Sequence, residues 1–371
     1  MSALSIKGVR MQAESIKECL TFLLNDAPEQ AVFIYGPTGC GKTSIIEQVA
    51  KEQGAEFVYF NCTAMEPVDL MGKPRSEIVQ FDTPTGPVSV ECTKYSPPYK
   101  LMKALYSKKC IVCLDEVNRL ERQMRHAIMP LLDRKEIGDI ILPRNALVVM
   151  TANPPDEEDY QVEEMDIAMV RRSVTLPFSY DLDALRRYGV FAGFHNRVLA
   201  ALGRITGLGR KVKHPFEQIL TPAGLEMASR LLNAGLMEKL DQEVALQMLI
   251  GSCGRDAGMA LLASLNDKKL DELLNKLLNK EKVALPDHDV AIALVYMFWQ
   301  KINKDARKYS DQIKMLYEAL NPDIRTLLVQ LVYEHMIRYP DAFKGIIEEW
   351  TKWCTDRLKA QQERRKKLGM A

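Results

Sequence analysis

The chain has 371 residues, of which 47% are hydrophobic and 27% are charged, and its formal net charge is +1. This composition is ordinary for a globular protein, and the length predicts two or three domains. The near-neutral charge excludes an overall basic field that would attract nucleic acid or an anionic membrane, although it is compatible with a local basic patch. No signal pattern opens the sequence and no apolar run approaches about 18 residues, so a cytoplasmic protein without membrane insertion and with reduced thiols is expected.

The first half of the chain alternates predicted helices and strands. A helix over 11–24 precedes a buried strand at 31–35, and a glycine-rich turn then leads into a helix over 42–53. Further strands are predicted at 57–60, 110–114, 137–142, 146–150 and 174–178, and further helices at 102–106 and 123–133. Such alternation is typical of an α/β domain with a parallel sheet.

Two segments of this half depart from the alternation. Residues 73–98 contain five prolines and the alternating Val88, Val90 and Cys92, which predicts a hairpin after the second strand. A second, short hairpin is predicted from 137–142 and 146–150. Cys110 and Cys113 lie in one predicted strand and would point to opposite faces, so they favour buried thiols over a metal pair.

The strongest chemical motif is the loop between the first strand and the next helix, which has the pattern G-x-x-x-x-G-K-[ST]. It consists of Gly36, Pro37, Thr38, Gly39, Cys40, Gly41, Lys42 and Thr43. Glycines let backbone N–H groups surround phosphate oxygens, and the following helix presents its positive end to the same anion. Lys42 would supply charge to the β- and γ-phosphates, and Thr43 a hydroxyl to Mg²⁺. A chance match in a glycine-rich turn is the alternative.

Polar side chains follow two later strands. Asp115 and Glu116 end the strand at 110–114, where ligands sit in open α/β sheets. Asp115 would hold Mg²⁺, directly or through water, and Glu116 would polarise the attacking water. Asn153 ends the strand at 146–150 and would orient that water. The alternatives are a solvated acidic turn for the pair and an Asn-Pro turn for Asn153.

Taken together, these motifs resemble those of AAA+ ATPases. The phosphate loop, Leu-Asp-Glu-Val-Asn-Arg at 114–119, Thr-Ala-Asn-Pro at 151–154 and Met-Val-Arg-Arg at 169–172 stand in the AAA+ order. The Asp-Glu-x-Asn-Arg form is similar to the MoxR group, which includes the CbbQ- and NorQ-like activators, and the resemblance covers about residues 10–265. It implies ATP and Mg²⁺ as cofactors and a homo-oligomeric ring, expected to be a hexamer.

The resemblance also implies a division of the chain. An α/β P-loop ATPase core is expected over 1–180, followed by an all-α lid over 181–280 and a C-terminal helical extension over 281–371. The insert hairpin, at about 76–93, would project toward the ring pore, and the hairpin at about 137–148 would take the pre-sensor place.

Several polar residues receive roles from the resemblance alone. Arg171 and Arg172 both fit the arginine that reaches a neighbour's γ-phosphate, with Arg172 preferred, and one of the two would be a surface or ion-pair arginine. Arg255, after Gly-Ser-Cys-Gly, fits a second sensor acting within its own subunit, or an ordinary cap-region arginine. Asn118 and Arg119 would bridge the active site to the subunit interface, or begin a solvated helix.

The C-terminal region departs from the family because residues 280–371 exceed the usual lid. Trp299, Trp350 and Trp353 fall on predicted helices, where core packing is expected. The tail is basic and favours a solvated helix end over a contact with nucleic acid or an acidic partner. Its cations are Arg357, Lys359, Arg364, Arg365, Lys366 and Lys367.

Three functions are compatible with these motifs. The first is a chaperone or activator that remodels a protein, with a von Willebrand A domain protein as the partner class that the MoxR resemblance implies. The second is a nucleic-acid motor or loader, McrB-like or clamp-loader-like, which the near-neutral charge does not favour. The third is a nucleotide-gated scaffold, which the intact Lys42, Asp115, Glu116 and Asn153 disfavour.

Overall fold

The computed structural model describes residues 11–153, 166–179, 182–202, 205, 209, 218–285, 288–302 and 305–367, without the side chains of 183, 323, 338 and 361–367. Pro154 of the predicted sensor motif and the side chains of the last four basic tail residues therefore lie outside the described residues. The chain divides into two compact units, Met1–Asp181 and Leu182–Ala371.

The first unit is built on a parallel sheet. Its described strands are β1 (Ala31–Tyr35), β2 (Glu56–Asn61), β3 (Lys73–Thr83), β4 (Gly86–Ser96), β5 (Cys110–Asp115), β6 (Glu136–Ile137), β7 (Ile140–Ile141), β8 (Ala146–Ala152) and β9 (Ser173–Pro177). The main sheet has the order β2-β5-β8-β1-β9, and all of its paired strands are parallel. Its inner strands are continuous buried apolar runs, as expected where helices cover both faces of a sheet.

Six described helices accompany this sheet. They are α1 (Ala13–Asp26), α2 (Lys42–Glu52), α3 (Pro67–Met71), α4 (Tyr99–Tyr106), α5 (Arg122–Asp133) and α6 (Ile167–Arg171). Four of them, α1, α2, α4 and α5, lie where the sequence predicts helices. Asn61 pairs in register with Asp115, and Tyr35 with Ala152, so the carboxyl ends of β1, β2, β5 and β8 meet at one edge.

The insert after β2 is a long antiparallel hairpin. Strands β3 and β4 have 11 residues each and pair from Lys73↔Ser96 to Thr83↔Gly86, a range that contains the predicted 76–93. At its base, Gly72 has φ 88°, and a Cβ there would overlap the carbonyl oxygen of Ser96. The close approach of the backbone to Ser96 at this point, together with the positive φ, therefore requires glycine.

The structure corrects the predicted hairpin over 137–148. Strand β6 pairs with β7 within 136–141, whereas Ala146–Ala152 is a strand of the main sheet, between β5 and β1. All seven residues of β8 are buried. A run that is apolar on both faces fits the middle of a covered parallel sheet and does not fit a hairpin with one exposed face.

The second unit is helical. Its described helices are α7 (Leu182–Phe191), α8 (Asn196–Ala201), α9 (Pro222–Asn233), α10 (Leu236–Lys239), α11 (Gln242–Cys253), α12 (Arg255–Leu265), α13 (Lys268–Leu278), α14 (His288–Ile302), α15 (Ser310–Ala319), α16 (Pro322–Arg338) and α17 (Ile347–Lys367). None of the described helices in either unit combines the length and apolar character that a bilayer crossing would require.

A large hydrophobic core lies in this second unit. It extends along the chain from Leu185 to Cys354 and includes Leu249, Leu277 and Trp299. The contacts within residues 182–371 group them as one unit, and the division of this region into a lid and an extension near residue 280 stays a prediction. Trp299 and Trp350 are buried in it, as the sequence indicates, while Trp353 is half-buried. All eight cysteines of the chain lie in the described residues and are free thiols.

Candidate active site

The phosphate-loop motif lies between the carboxyl end of β1 and the first residue of α2. Gly39 and Gly41 have φ of 70° and 99°, in the left-handed region that favours glycine. Gly41 is the residue before α2, which begins at Lys42, so the loop turns its backbone onto the positive end of that helix. This local structure is the one that the spacing of the motif predicts for holding an anion.

Lys42 connects the loop to the neighbouring strand β8. Its side chain is only 7% exposed. The Nζ atom donates to the carbonyl oxygens of Gly36 at 2.7 Å and Pro37 at 2.9 Å, and to Oδ1 of Asn153 at 2.7 Å. The ammonium group is therefore fixed at the mouth of the loop and beside the predicted sensor residue.

Asp115 accepts hydrogen bonds from three hydroxyl groups. Thr43 Oγ1 lies 2.9 Å from Oδ1 and 3.0 Å from Oδ2. The phenol of Tyr59 donates to Oδ2 at 3.1 Å, and Thr151 donates to Oδ1. Thr43 and Asp115, predicted from separate motifs, are thus in direct contact.

Glu116 has a backbone conformation that non-glycine residues rarely adopt, with φ 59° and ψ 45°. Its N–H donates to Thr151 Oγ1 at 3.1 Å. The carboxylate accepts from Thr63 Oγ1 at 2.8 Å and from Asn153 Nδ2 at 3.4 Å, and it pairs with Arg119 Nε at 3.0 Å. A left-handed glutamate costs about 1–3 kcal/mol and persists where its surroundings fix it, which is common at functional sites.

Asn118 also belongs to this site, because its side chain contacts the residue that follows β8. Its side chain is 2% exposed, and Nδ2 donates to the backbone oxygen of Asn153 at 2.9 Å. A solvated helix start, one of the two interpretations of Asn118, is therefore wrong for this residue. Its contact places it within the site, beside Arg119, which pairs with Glu116.

The arginines after the sensor strand are placed differently from one another. Arg172 pairs with Asp133 through Nε at 2.5 Å and donates to the carbonyl oxygen of Ala168 at 3.1 Å. Arg171, the last residue of α6, is exposed, and its side chain makes no hydrogen bond or ion pair within the described part of the chain. Arg255 is the exposed first residue of α12 in the helical unit, and its sensor role stays a prediction.

Two further residues of the site carry no signal in a single sequence. Tyr59 lies on β2 and Thr63 in the 3₁₀ turn Cys62–Ala64 that follows it, and neither belongs to a motif. They reach Asp115 and Glu116 because β2 is the neighbour of β5 in the sheet. Burial, followed by the charge of Asp115, raises the pKa of the Tyr59 phenol, and burial raises the pKa of the Cys62 thiol to about 12. Both groups therefore keep their protons at neutral pH.

The hydroxyl and carboxylate oxygens of Thr43 and Asp115 are ligands of the kind that Mg²⁺ prefers. In the described residues no cluster of three or more His, Cys, Asp or Glu side chains could hold a metal by itself. The residues that would hold a magnesium ion at this site are therefore Thr43 and Asp115, whose oxygen atoms fit that ion.

Comparison with known proteins gives a family match over the part of the chain that contains the phosphate loop, Asp115, Glu116 and Asn153. Residues 31–173 match the model of an AAA domain of the dynein-related subfamily. The replication factor C large subunit of Staphylothermus marinus is 29% identical over 136 residues, which are 36% of this chain and 26% of that protein. The matched segment therefore spans about a quarter of that relative's length.

Two solved structures are also similar. NtrX of Brucella abortus in complex with ADP covers 88% of this chain and is itself covered to 69%, with TM-score 0.40 and 15% identity. The RuvB Holliday junction branch migration motor of Thermotoga maritima covers 76% of this chain and is itself covered to 82%, with TM-score 0.33 and 13% identity. With the five-stranded parallel sheet and the family match over 31–173, the predicted P-loop AAA+ fold is confirmed.

Proposed function

We propose that this AAA+ ATPase cleaves ATP at sites completed by neighbouring subunits of a ring, and that the ATP cycle remodels or activates a protein partner. The convergence of Lys42, Asp115, Glu116 and Asn153 at one edge of the sheet supports the proposed ATP site. The MoxR resemblance suggests the remodelling role, a hexameric ring and a von Willebrand A domain partner.

Each side chain has a distinct task in this proposal. Lys42 binds the phosphates, and Thr43 and Asp115 would hold Mg²⁺, which when bound neutralises phosphate charge. Glu116 accepts a proton from the attacking water. Asn153 orients that water, since its Nδ2 faces Glu116 while its Oδ1 is held by Lys42.

The arginine that completes a neighbour's site is proposed to be Arg171. The ion pair with Asp133 and the bond to Ala168 occupy the guanidinium of Arg172, the arginine preferred on the family resemblance. Arg171 is exposed at the end of α6 and is available to another subunit. A trans arginine needs an accessible guanidinium, because it must neutralise charge on a phosphate held by another chain.

The exposed apolar face of the hairpin β3–β4 supports the proposal that the partner is a protein. The pairs Val79↔Val90 and Phe81↔Val88 place four apolar side chains on one face. Phe81, Val88 and Val90 are each between 44% and 48% exposed. Phe81 is thus not fully packed within the hairpin, and exposed apolar faces commonly bind proteins.

Replacing Lys42 by alanine should weaken ATP binding about 10- to 100-fold, because a charge-assisted bond to phosphate contributes about 1.5–3 kcal/mol. Fluorescent-nucleotide titration measures this loss. Lys51→Ala, on the exposed side of the same helix, is the matched control and should bind as the wild type does. Unchanged affinity in Lys42→Ala would remove the phosphate-loop assignment.

Duplex and single-stranded DNA should leave the ATPase rate of the wild type unchanged. A motor that tracks the phosphate backbone would instead show stimulation that falls steeply as salt rises from about 50 to 200 mM, because binding releases counterions. Phosphate release, measured with and without DNA at both salt concentrations, distinguishes the two functions. Stimulation by DNA that weakens with salt would show that the protein is a nucleic-acid motor or loader and would overturn the proposed protein remodelling.

A further inference from the structure

The three hydroxyls around Asp115 come from three different elements. Thr43 is on α2, Tyr59 on β2 and Thr151 on β8. Thr43 lies nearly equidistant from both carboxylate oxygens, at 2.9 and 3.0 Å, so its hydrogen bond does not select one orientation of the carboxylate. Tyr59 is bonded to Oδ2 and Thr151 to Oδ1, and this division does select one.

We infer that Tyr59 is a positioning residue that holds the Asp115 carboxylate in the orientation required to bind the metal–nucleotide complex. The inference rests on the proposed ATP site and assigns to β2 a part in it that no motif indicates. Tyr59 would not contact the metal itself. It would act through Asp115, by fixing Oδ2 from the side opposite to Thr151.

The contacts around Asp115 explain why a phenol suits this position. Thr43 donates its proton to Asp115, which leaves the lone pairs of its oxygen for a cation. If Thr43 moves toward that cation, Tyr59 and Thr151 still hold Asp115 by one bond on each oxygen. The ring of Tyr59 is half-buried beside Phe57, at 6.2 Å between centroids, and so has little freedom to swing away.

Tyr59→Phe removes the donor and keeps the ring, and Mn²⁺ with a non-hydrolysable ATP analogue is the probe. The full-length variant should bind Mn²⁺, measured by electron paramagnetic resonance in the presence of the analogue, about tenfold more weakly than the wild type, as is common when a metal ligand loses its hydrogen-bond partner. Its affinity for the analogue without metal, measured by calorimetry, should stay within about twofold, since Lys42 and the loop are untouched. Tyr106→Phe removes an exposed phenol from α4 and should leave both affinities unchanged.

The outcomes separate this inference from the proposed function. If the wild type binds Mn²⁺ with the analogue and Tyr59→Phe binds it equally well, Tyr59 has no positioning role, and the ATP site stands. If Tyr59→Phe loses metal-dependent and metal-free affinity in the same proportion, its role is structural, and the inference is again overturned. If the wild type binds the analogue neither with nor without Mn²⁺, the proposed ATP site fails, and with it this inference.

Discussion

Glu116→Gln should slow ATP hydrolysis by about 10²- to 10⁴-fold, the usual contribution of a general base. Glutamine has the shape of glutamate but cannot accept a proton from water. The backbone strain at position 116 arises from φ 59° and is the same for both side chains, so the exchange adds none. The amide can still accept from Thr63, although it gives up the ion pair with Arg119.

ATP affinity in this variant should stay near that of the wild type, because Lys42, Thr43 and Asp115 are unchanged. The trapped ATP state should also stabilise the oligomer, which sedimentation in ATP and Mg²⁺ measures alongside phosphate release. Glu121→Gln, an exposed carboxylate before α5, is the matched control and should turn over normally. Normal turnover in Glu116→Gln would exclude Glu116 from the mechanism.

Much of this site is predictable from the sequence because its chemistry is local. The loop from Gly36 to Thr43 is contiguous, and its residue types follow from what backbone groups need in order to surround phosphate. Asp115, Glu116 and Asn153 each end a buried apolar run, and parallel strands bring their carboxyl ends to one edge of the sheet.

The remainder depends on strand order, which a single sequence does not specify. Tyr59 and Thr63 enter the site because β2 lies beside β5, a neighbour that comes more than 40 residues later in the chain. Missing knowledge of the strand order also explains why the hairpin predicted over 137–148 is wrong in its second arm. Without strand order, Ala146–Ala152 has the appearance of the second arm of a hairpin, while its burial on both faces places it between β5 and β1.

The choice between the two arginines likewise needed a contact distant in sequence. Arg171 and Arg172 are adjacent and chemically identical, so nothing local distinguishes them. Asp133, at the end of α5, pairs with Arg172 and leaves Arg171 accessible. Because both partners of this pair are about 40–45% exposed, we expect it to add no more than about 1 kcal/mol of stability. Arg172→Ala should therefore fold and hydrolyse ATP nearly as the wild type does.

Arg171→Ala should lose about 10³- to 10⁵-fold in hydrolysis, and mixing it with Glu116→Gln should restore activity. Each variant alone lacks one group at every site. In a mixed ring, an Arg171→Ala subunit still has Glu116, and a Glu116→Gln neighbour can supply Arg171. With random mixing at equal amounts, about a quarter of the interfaces combine both intact groups.

Phosphate release should therefore rise well above both parents and reach a maximum near equal amounts. Titrating one variant into the other at constant total protein measures this curve, and Arg172→Ala in place of Arg171→Ala is the matched control. Full loss in Arg172→Ala, with recovery on mixing, would move the role to Arg172, and the Asp133 pair would then have to open in the ring. Recovery at no ratio for either arginine would mean that each subunit cleaves ATP with its own residues, because only a site shared between two chains can be rebuilt from two inactive variants.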